Sequence, residues 1–398
     1  MQTRTVAEAA AQPAHGNPEL LFPFLDLRAQ FESIRSEVLS AVEHTFESQG
    51  FILGPEVAQL ESEIAQLTGC KFAIGCASGS DALLLSLMAL GIGSGDEVIT
   101  TPFTFGATAG SIARTGARPV FVDIDPKSYN LDPEQIERAI TPRTRAIMPV
   151  HLFGWPAEMD AIRAIAARHR LALVEDAAQA IGSSYHRQPV GSLGEIGCFS
   201  FFPSKNLGGA GDGGMITTND SSLADRLRVL RVHGARNKYS YERIGMNSRL
   251  DALQAAVLRV KLRHLSQWSE QRRQNAERYA QMIASRGLDR AVTLPSAGAN
   301  GTHVYNQFVI RVSSRDALRR HLRSAGIPTE IYYPFPLHLE QAFAYLGYGP
   351  NDFPQSERAC VEVLALPIYP ELTEPQQMLV VEAIADFFAH SESSMERL

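Results

Sequence analysis

The chain has 398 residues, 45% of them hydrophobic and 20% charged, the make-up of a globular protein long enough for one large domain and a smaller one. A formal net charge of −6, with lysines and arginines dispersed, gives no basic face for nucleic acid. No apolar run is long enough to span a membrane.

Residues 1–20 hold Ala, Gln, Pro and Gly but no apolar core of a signal peptide, and read as a disordered arm. Over residues 31–47, Ile34, Val38, Leu39, Val42 and Phe46 fall close to one helix face. Residues 50–55 break that pattern, and 57–67 resume it. From Phe72 the chain turns to short apolar strands alternating with helices. Strands are expected at 72–74, 97–100, 119–122, 146–150, 172–175, 197–200 and 214–217, with helices starting near Ser80, Thr108, Asp132, Glu158 and Asp220. This alternation predicts an α/β fold: a mostly parallel seven-stranded sheet sandwiched by helices. Ligands of such sheets sit at the carboxyl ends of strands, where Ser78 and Asp176 fall. Residues 250–278 read as one long helix. Beyond Gly287 come a strand at 306–312, a helix at 315–325, a strand at 329–332 and a helix from Pro375, a small α+β carboxyl-terminal domain. The expected division is 21–265 for the large part and 266–398 for the small one.

Four cysteines (Cys70, Cys76, Cys198 and Cys360) show neither metal spacing nor a disulfide framework. With no histidine constellation either, the expectation is a cytoplasmic protein without a metal site.

The chemistry concentrates around Lys205. An apolar run, Gly197 to Phe202, carries the chain inward, a single amine follows, and then a loop dense in glycine, Gly208 to Gly214. Burying a lone lysine is costly, so a lysine placed there is chemically employed. As a neutral amine it condenses with an aldehyde to give a Schiff base. Upstream, Asp176 ends another apolar run, and an aspartate at a strand end suits the ring nitrogen of pyridoxal. Together they point to a pyridoxal phosphate enzyme. Cys76-Ala77-Ser78-Gly79-Ser80-Asp81 opens an apolar helix with small residues, which suits either an anion at the helix amino terminus or an ordinary cap. Gly209 to Gly214 formally satisfies G-x-G-x-x-G, yet a strand and not a helix follows, so no dinucleotide site is expected there. His151 lies at a further strand end and is a candidate to face the site.

These segments resemble the DegT/StrS family of sugar aminotransferases, and the likeness runs from Phe24-Leu25-Asp26-Leu27 to Leu366-Pro367-Ile368-Tyr369. The resemblance implies the aspartate-aminotransferase fold, with Gly79, Ser80 and Ser200 around the cofactor phosphate. It also implies Gln179 beside the ring hydroxyl, Phe105 stacked on the ring, and Asn247 reaching the phosphate of a partner subunit in a homodimer. It implies a loop near the substrate, here Tyr332-Tyr333-Pro334-Phe335-Pro336-Leu337-His338, whose Tyr332, Tyr333 and His338 are candidate contacts. The implied reaction moves an amino group, from L-glutamate, to a nucleotide-linked keto sugar. Asp212, where many C4 enzymes of the family carry Glu, leans the reading toward C3. Two alternatives stand beside it. One is a deoxysugar dehydratase, whose family members replace the lysine with histidine. The other is a regulatory or scaffold protein that keeps the fold without turnover.

Overall fold

The computed structural model describes residues 19–295 and 298–395; most of the expected arm, 1–20, lies outside them. Seven strands build the main sheet: β1 (Phe72–Cys76), β2 (Glu97–Thr100), β3 (Arg118–Phe121), β4 (Thr144–Ile147), β5 (Ala172–Asp176), β6 (Ile196–Ser200) and β7 (Gly214–Thr218). Their spatial order is β1-β7-β6-β5-β4-β2-β3. β7 pairs antiparallel with both neighbours, and every other pairing is parallel, so β7 alone runs against the rest.

Alternate residues of these strands feed two cores. Val98, Ala146, Val174, Cys198 and Ile216 pack with the helix Gly79–Leu90, whose leucines are buried almost all round. Their chain neighbours Ile99, Ile147, Leu173, Phe199 and Met215 pack on the opposite face, with the helices Pro55–Thr68 and Met159–His169. Period-two alternation with both faces covered is what makes these strands near-continuous apolar runs in sequence.

A third core gathers Phe22, Tyr279, Ile283, Phe308, Ile310, Leu318, Leu322, Leu364, Leu366, Val380 and Ile384. The helix Ala252–Ser285 serves both ends of the molecule. Its Ala255, Leu258 and Leu265 join the sheet core, while Ala276, Tyr279 and Ile283 join the third. Phe22, before the first helix Leu27–Ser48, also packs in this carboxyl-terminal core.

Two local expectations need correction. The strand expected at 329–332 is a single bridge between Glu330 and Ala365. The strand that pairs with Phe308–Arg311 is Val363–Leu366, which follows the helix Pro354–Glu362 without a turn. At 146–150, regular pairing stops at Ile147, because Pro149 has no N–H to offer the ladder. Pairing resumes only as a bridge from Val150 to Asp176.

Candidate active site

Asp176 stands at the carboxyl end of β5, nearly sealed from solvent. Thr108 Oγ1 donates to its Oδ2 at 2.8 Å, and the Ala178 N–H donates to Oδ1 at 3.2 Å. Burial raises its pKa; the two donors and the charge of Lys205 pull the other way. Thr108 itself lies 3.0 Å from Thr104, one turn earlier.

Lys205 comes from the loop that leaves β6. That loop is closed by Lys205 N–H to Phe202 O, Gly209 N–H to Phe201 O and Phe201 N–H to Gly213 O, each at 2.8 Å. A Cβ at Gly208 would run into the carbonyl of Pro203, so only glycine lets the loop fold back this tightly. Burial lowers the amine's pKa to about 8, with Asp176 opposing it. A lysine so poised keeps a usable fraction of neutral, nucleophilic amine.

The start of helix Gly79–Leu90 is the candidate anion cradle. Helix Gly79–Leu90 begins at Ser78, whose Oγ accepts from the Asp81 N–H at 3.1 Å. The N–H groups of Gly79 and Ser80 take no hydrogen bond among the described residues. A Cβ on Gly79 would stand 2.6 Å from Ser200 Cβ, and one on Gly214 would collide with Ser78. Both glycines therefore let the helix start press against the ends of β6 and β7. Helix-start amides facing a serine are suited to a phosphate. Ser78 caps the helix, and the next two amides remain free.

Gln179 is held from two sides. Its Oε1 accepts from the Phe153 N–H at 2.6 Å, and its Nε2 donates to Tyr333 Oη at 2.8 Å. Tyr333 has φ of 59° and lies between Phe103 and Phe153, at ring separations of 5.7 and 6.2 Å. Tyr332 is half-buried beside Phe153. Phe105, just before the helix Gly106–Arg114, is 65% exposed and so presents an open ring face.

The two histidines fall elsewhere. His151 is sealed in the interior: Nδ1 accepts from the Ala157 N–H at 3.0 Å, which leaves Nε2 to donate to Glu175 Oε2 at 3.0 Å. With both ring nitrogens used, it has nothing to offer a substrate. His338 is likewise buried, with Nε2 3.2 Å from Glu357 Oε1 and its ring against Phe353. The prolines of its loop turn the imidazole inward and leave Phe335 outside, 66% exposed.

Asn247 is exposed and makes no side-chain hydrogen bond among the described residues, so its amide is free for another molecule. It is not the cap of the following helix, a place that belongs to Asp251. Its neighbour Ser248 is buried, accepting from the Ala77 N–H and donating to Asp81, and ties this segment to the anion cradle. The sequence shows Thr108 only as a helix start and gives neither Thr108 nor Ser248 a part in the site. Their partners lie 68 and 167 positions away, and no local pattern announces that. Gly214 opens a strand, as the rejection of a dinucleotide fingerprint requires.

The amine, the buried acid and the free helix-start amides fit pyridoxal phosphate at its aldehyde, ring nitrogen and phosphate. Among the described residues no side-chain group is arranged to hold a metal ion. Fold and site together define an aminotransferase that uses pyridoxal phosphate. The chain belongs to the DegT/DnrJ/EryC1/StrS aminotransferase family, whose model matches residues 32–385. It is 52% identical over 92% of its length to a pleiotropic regulatory protein of Geobacillus stearothermophilus, covering 99% of that protein. It is 48% identical to a UDP-N-acetyl-3-dehydro-alpha-D-glucosamine 3-aminotransferase of Acidithiobacillus ferrooxidans, over 89% of this chain and 94% of the other. Among solved structures, S. venezuelae DesV in complex with a ketimine intermediate is similar at TM-score 0.89 and 44% identity, covering 93% of this chain and 98% of that one. Bacillus subtilis NtdA with bound cofactor PMP is similar at TM-score 0.86 and 31% identity, covering 94% and 86%.

Proposed function

We propose that this chain transfers an amino group from L-glutamate to the C3 keto carbon of a nucleotide-linked sugar, in the cytoplasm, as a homodimer. The observation that carries the reading is a single lysine, Lys205, its pKa lowered by burial to about 8, within reach of the charge of the buried Asp176. The relative from A. ferrooxidans, named as a 3-aminotransferase of a UDP-linked sugar, supports the sugar class and the position. Four free, buried cysteines agree with a reducing compartment. Among the described residues no helix is long and apolar enough to cross a membrane.

Pyridoxal phosphate, when bound, supplies an aldehyde and an electron-accepting ring. Every other part falls to this chain. Gly79, Ser80 and Ser200 hold the phosphate, and Asn247 of one subunit reaches toward its partner's site. Asp176 keeps a proton on the ring nitrogen, and Thr108 orients that carboxylate. Phe105 covers one ring face, and Gln179 lies beside the ring hydroxyl. Lys205 would hold the cofactor at its aldehyde and, as a neutral amine, would be the group that moves a proton. Tyr332 and Tyr333 form the substrate side. Residues 21–265 act as the cofactor-binding part and 266–398 as the smaller one.

A regulatory role is the second reading, favoured by the name of the Geobacillus relative. Lys205, Asp176 and Gln179 are all in place, and a protein that only bound partners would have no use for a lysine of lowered pKa. Lysine at 205 likewise disfavours the dehydratase reading. Absorption between about 300 and 450 nm decides, recorded before and after L-glutamate. Conversion of the long-wavelength band to a pyridoxamine band, followed by return of the first band on adding a UDP-linked 3-keto sugar, is the expected result. A spectrum unmoved by glutamate overturns the donor, and no chromophore after adding pyridoxal phosphate overturns the enzyme reading.

A further inference from the structure

Lys205 is followed at once by Asn206, which is buried and turned away from the sheet toward the segment Val304–Gln307. Asn206 Nδ2 donates to the carbonyl of Val304 at 2.8 Å, and its Oδ1 accepts from Asn306 Nδ2 at 2.8 Å. The orientation of the pair is forced. A carbonyl can only accept, so the Asn206 amide nitrogen must face Val304, and its oxygen must then find a donor on Asn306. Asn306 Oδ1 receives no hydrogen bond, so this buried amide spends itself on the one bond to Asn206.

The same segment grips the residues around Gln179. Val304 N–H donates to Gly154 O at 3.1 Å, and Gln307 N–H to Phe153 O at 3.4 Å. Gly154, at φ of 96°, fits so closely that a Cβ there would stand 2.8 Å from Val304 Cγ2 and 3.2 Å from the Gln179 carbonyl. Phe153 in turn fixes Gln179. A continuous set of hydrogen bonds thus runs from the residue after Lys205, through 304–307, to Gln179.

We propose that Asn306 is a positioning residue: through Asn206 it sets where the Lys205 amine stands relative to the cofactor ring. This rests on Lys205 being the attachment point. Beyond the loop's own turns, its far arm is held by Lys261 Nζ donating to Gly208 O and by the Ala210 N–H donating to Gln254 Oε1, each at 2.8 Å. Next to Lys205 itself, the hold from outside the loop is the Asn206 amide on Val304 and Asn306.

The test follows two quantities in the full-length apoprotein: the rate at which added pyridoxal phosphate becomes borohydride-trappable on the protein, and the affinity for pyridoxamine phosphate, which has no aldehyde and reports the cradle alone. Asn306→Ala is expected to slow attachment by roughly ten- to a hundredfold, the range for an ångström-scale misplacement, while pyridoxamine phosphate affinity stays within about twofold. Asn306→Asp, nearly identical in shape, sets a carboxylate against Asn206 Oδ1 and is expected to do the same. It serves as the test should the alanine variant fail to fold. A folded variant with the wild-type attachment rate, or one losing rate and affinity in equal measure, overturns the proposal. If wild type itself attaches no cofactor, or Lys205→Ala still does, the lysine assignment falls instead.

Discussion

Glu175 and Asp176 are consecutive on β5, and the alternation of the strand sends their carboxyl groups to opposite sides with opposite tasks. Glu175 receives the N–H groups of Gly191, Leu193 and Gly194 at 2.7–2.8 Å, together with His151 Nε2. It wraps the turn between β5 and β6 around a sealed anion. Asp176 receives Thr108 and Ala178 and keeps its remaining reach for the site.

Glu175→Gln replaces one acceptor oxygen with a donor that faces other donors. Because the Ala157 N–H pins the His151 tautomer, the imidazole cannot adapt. Leaving buried donors unmet beside a lost charge-assisted bond is expected to cost about 3 kcal/mol of stability. Urea unfolding of the apoprotein reads this, and an unchanged midpoint would show that the turn does not depend on the carboxylate.

Lys205 gives a pH signature of defined sign. Its folded pKa is lowered from 10.5 to about 8 by burial. Between about pH 8 and 10.5 the unfolded chain therefore binds more protons than the folded one, and apoprotein stability gains a contribution as pH rises through that window. Comparing urea midpoints of wild type and Lys205→Met across it should show a steeper rise in the wild type. The rate of cofactor attachment should climb through about pH 8 and level off above it, as the neutral amine becomes the main form.

Thr108→Val removes a hydroxyl while keeping the shape. Asp176 then loses its 2.8 Å donor while staying buried, so its pKa moves further up and it holds a ring-nitrogen proton less firmly. Transamination is expected to slow by roughly tenfold, the worth of one hydrogen bond to a charged group, with Thr108→Ser near wild type. Single-turnover kinetics with L-glutamate separates these outcomes, and a valine variant at full rate would remove Thr108 from the site.

Asn247 tests sharing between subunits. Mixing Asn247→Ala with Lys205→Ala subunits creates one site in which both residues are intact, provided that Asn247 acts in trans. Activity should reappear on mixing two weak or dead preparations under exchange conditions. None appears if Asn247 serves its own subunit.

The strands were legible because both sheet faces are covered, so that Val98–Ile99 or Val174–Leu173 read as apolar runs whichever core they feed. Asp176 and Lys205 were legible for a related reason, as polar groups ending apolar runs. The segment 329–332 was misread because its apolar residues sit between prolines and pack without a ladder. His151 and His338 misled because a histidine at a strand end and one in an aromatic loop look the same whether the ring turns outward or inward. Asn206 and Asn306 were out of reach altogether: 100 positions separate them, and only the assembled fold makes them neighbours.

The helix Ala252–Ser285 has 34 residues, a rod about 50 Å long. Since its two ends complete different cores, the segments before and after it cannot be exchanged between relatives as modules with a flexible joint. A chimera spliced at 265 must match heptad-scale helix phase as well as surface, so recombination within this family should succeed where crossovers spare this helix and fail where they cut it.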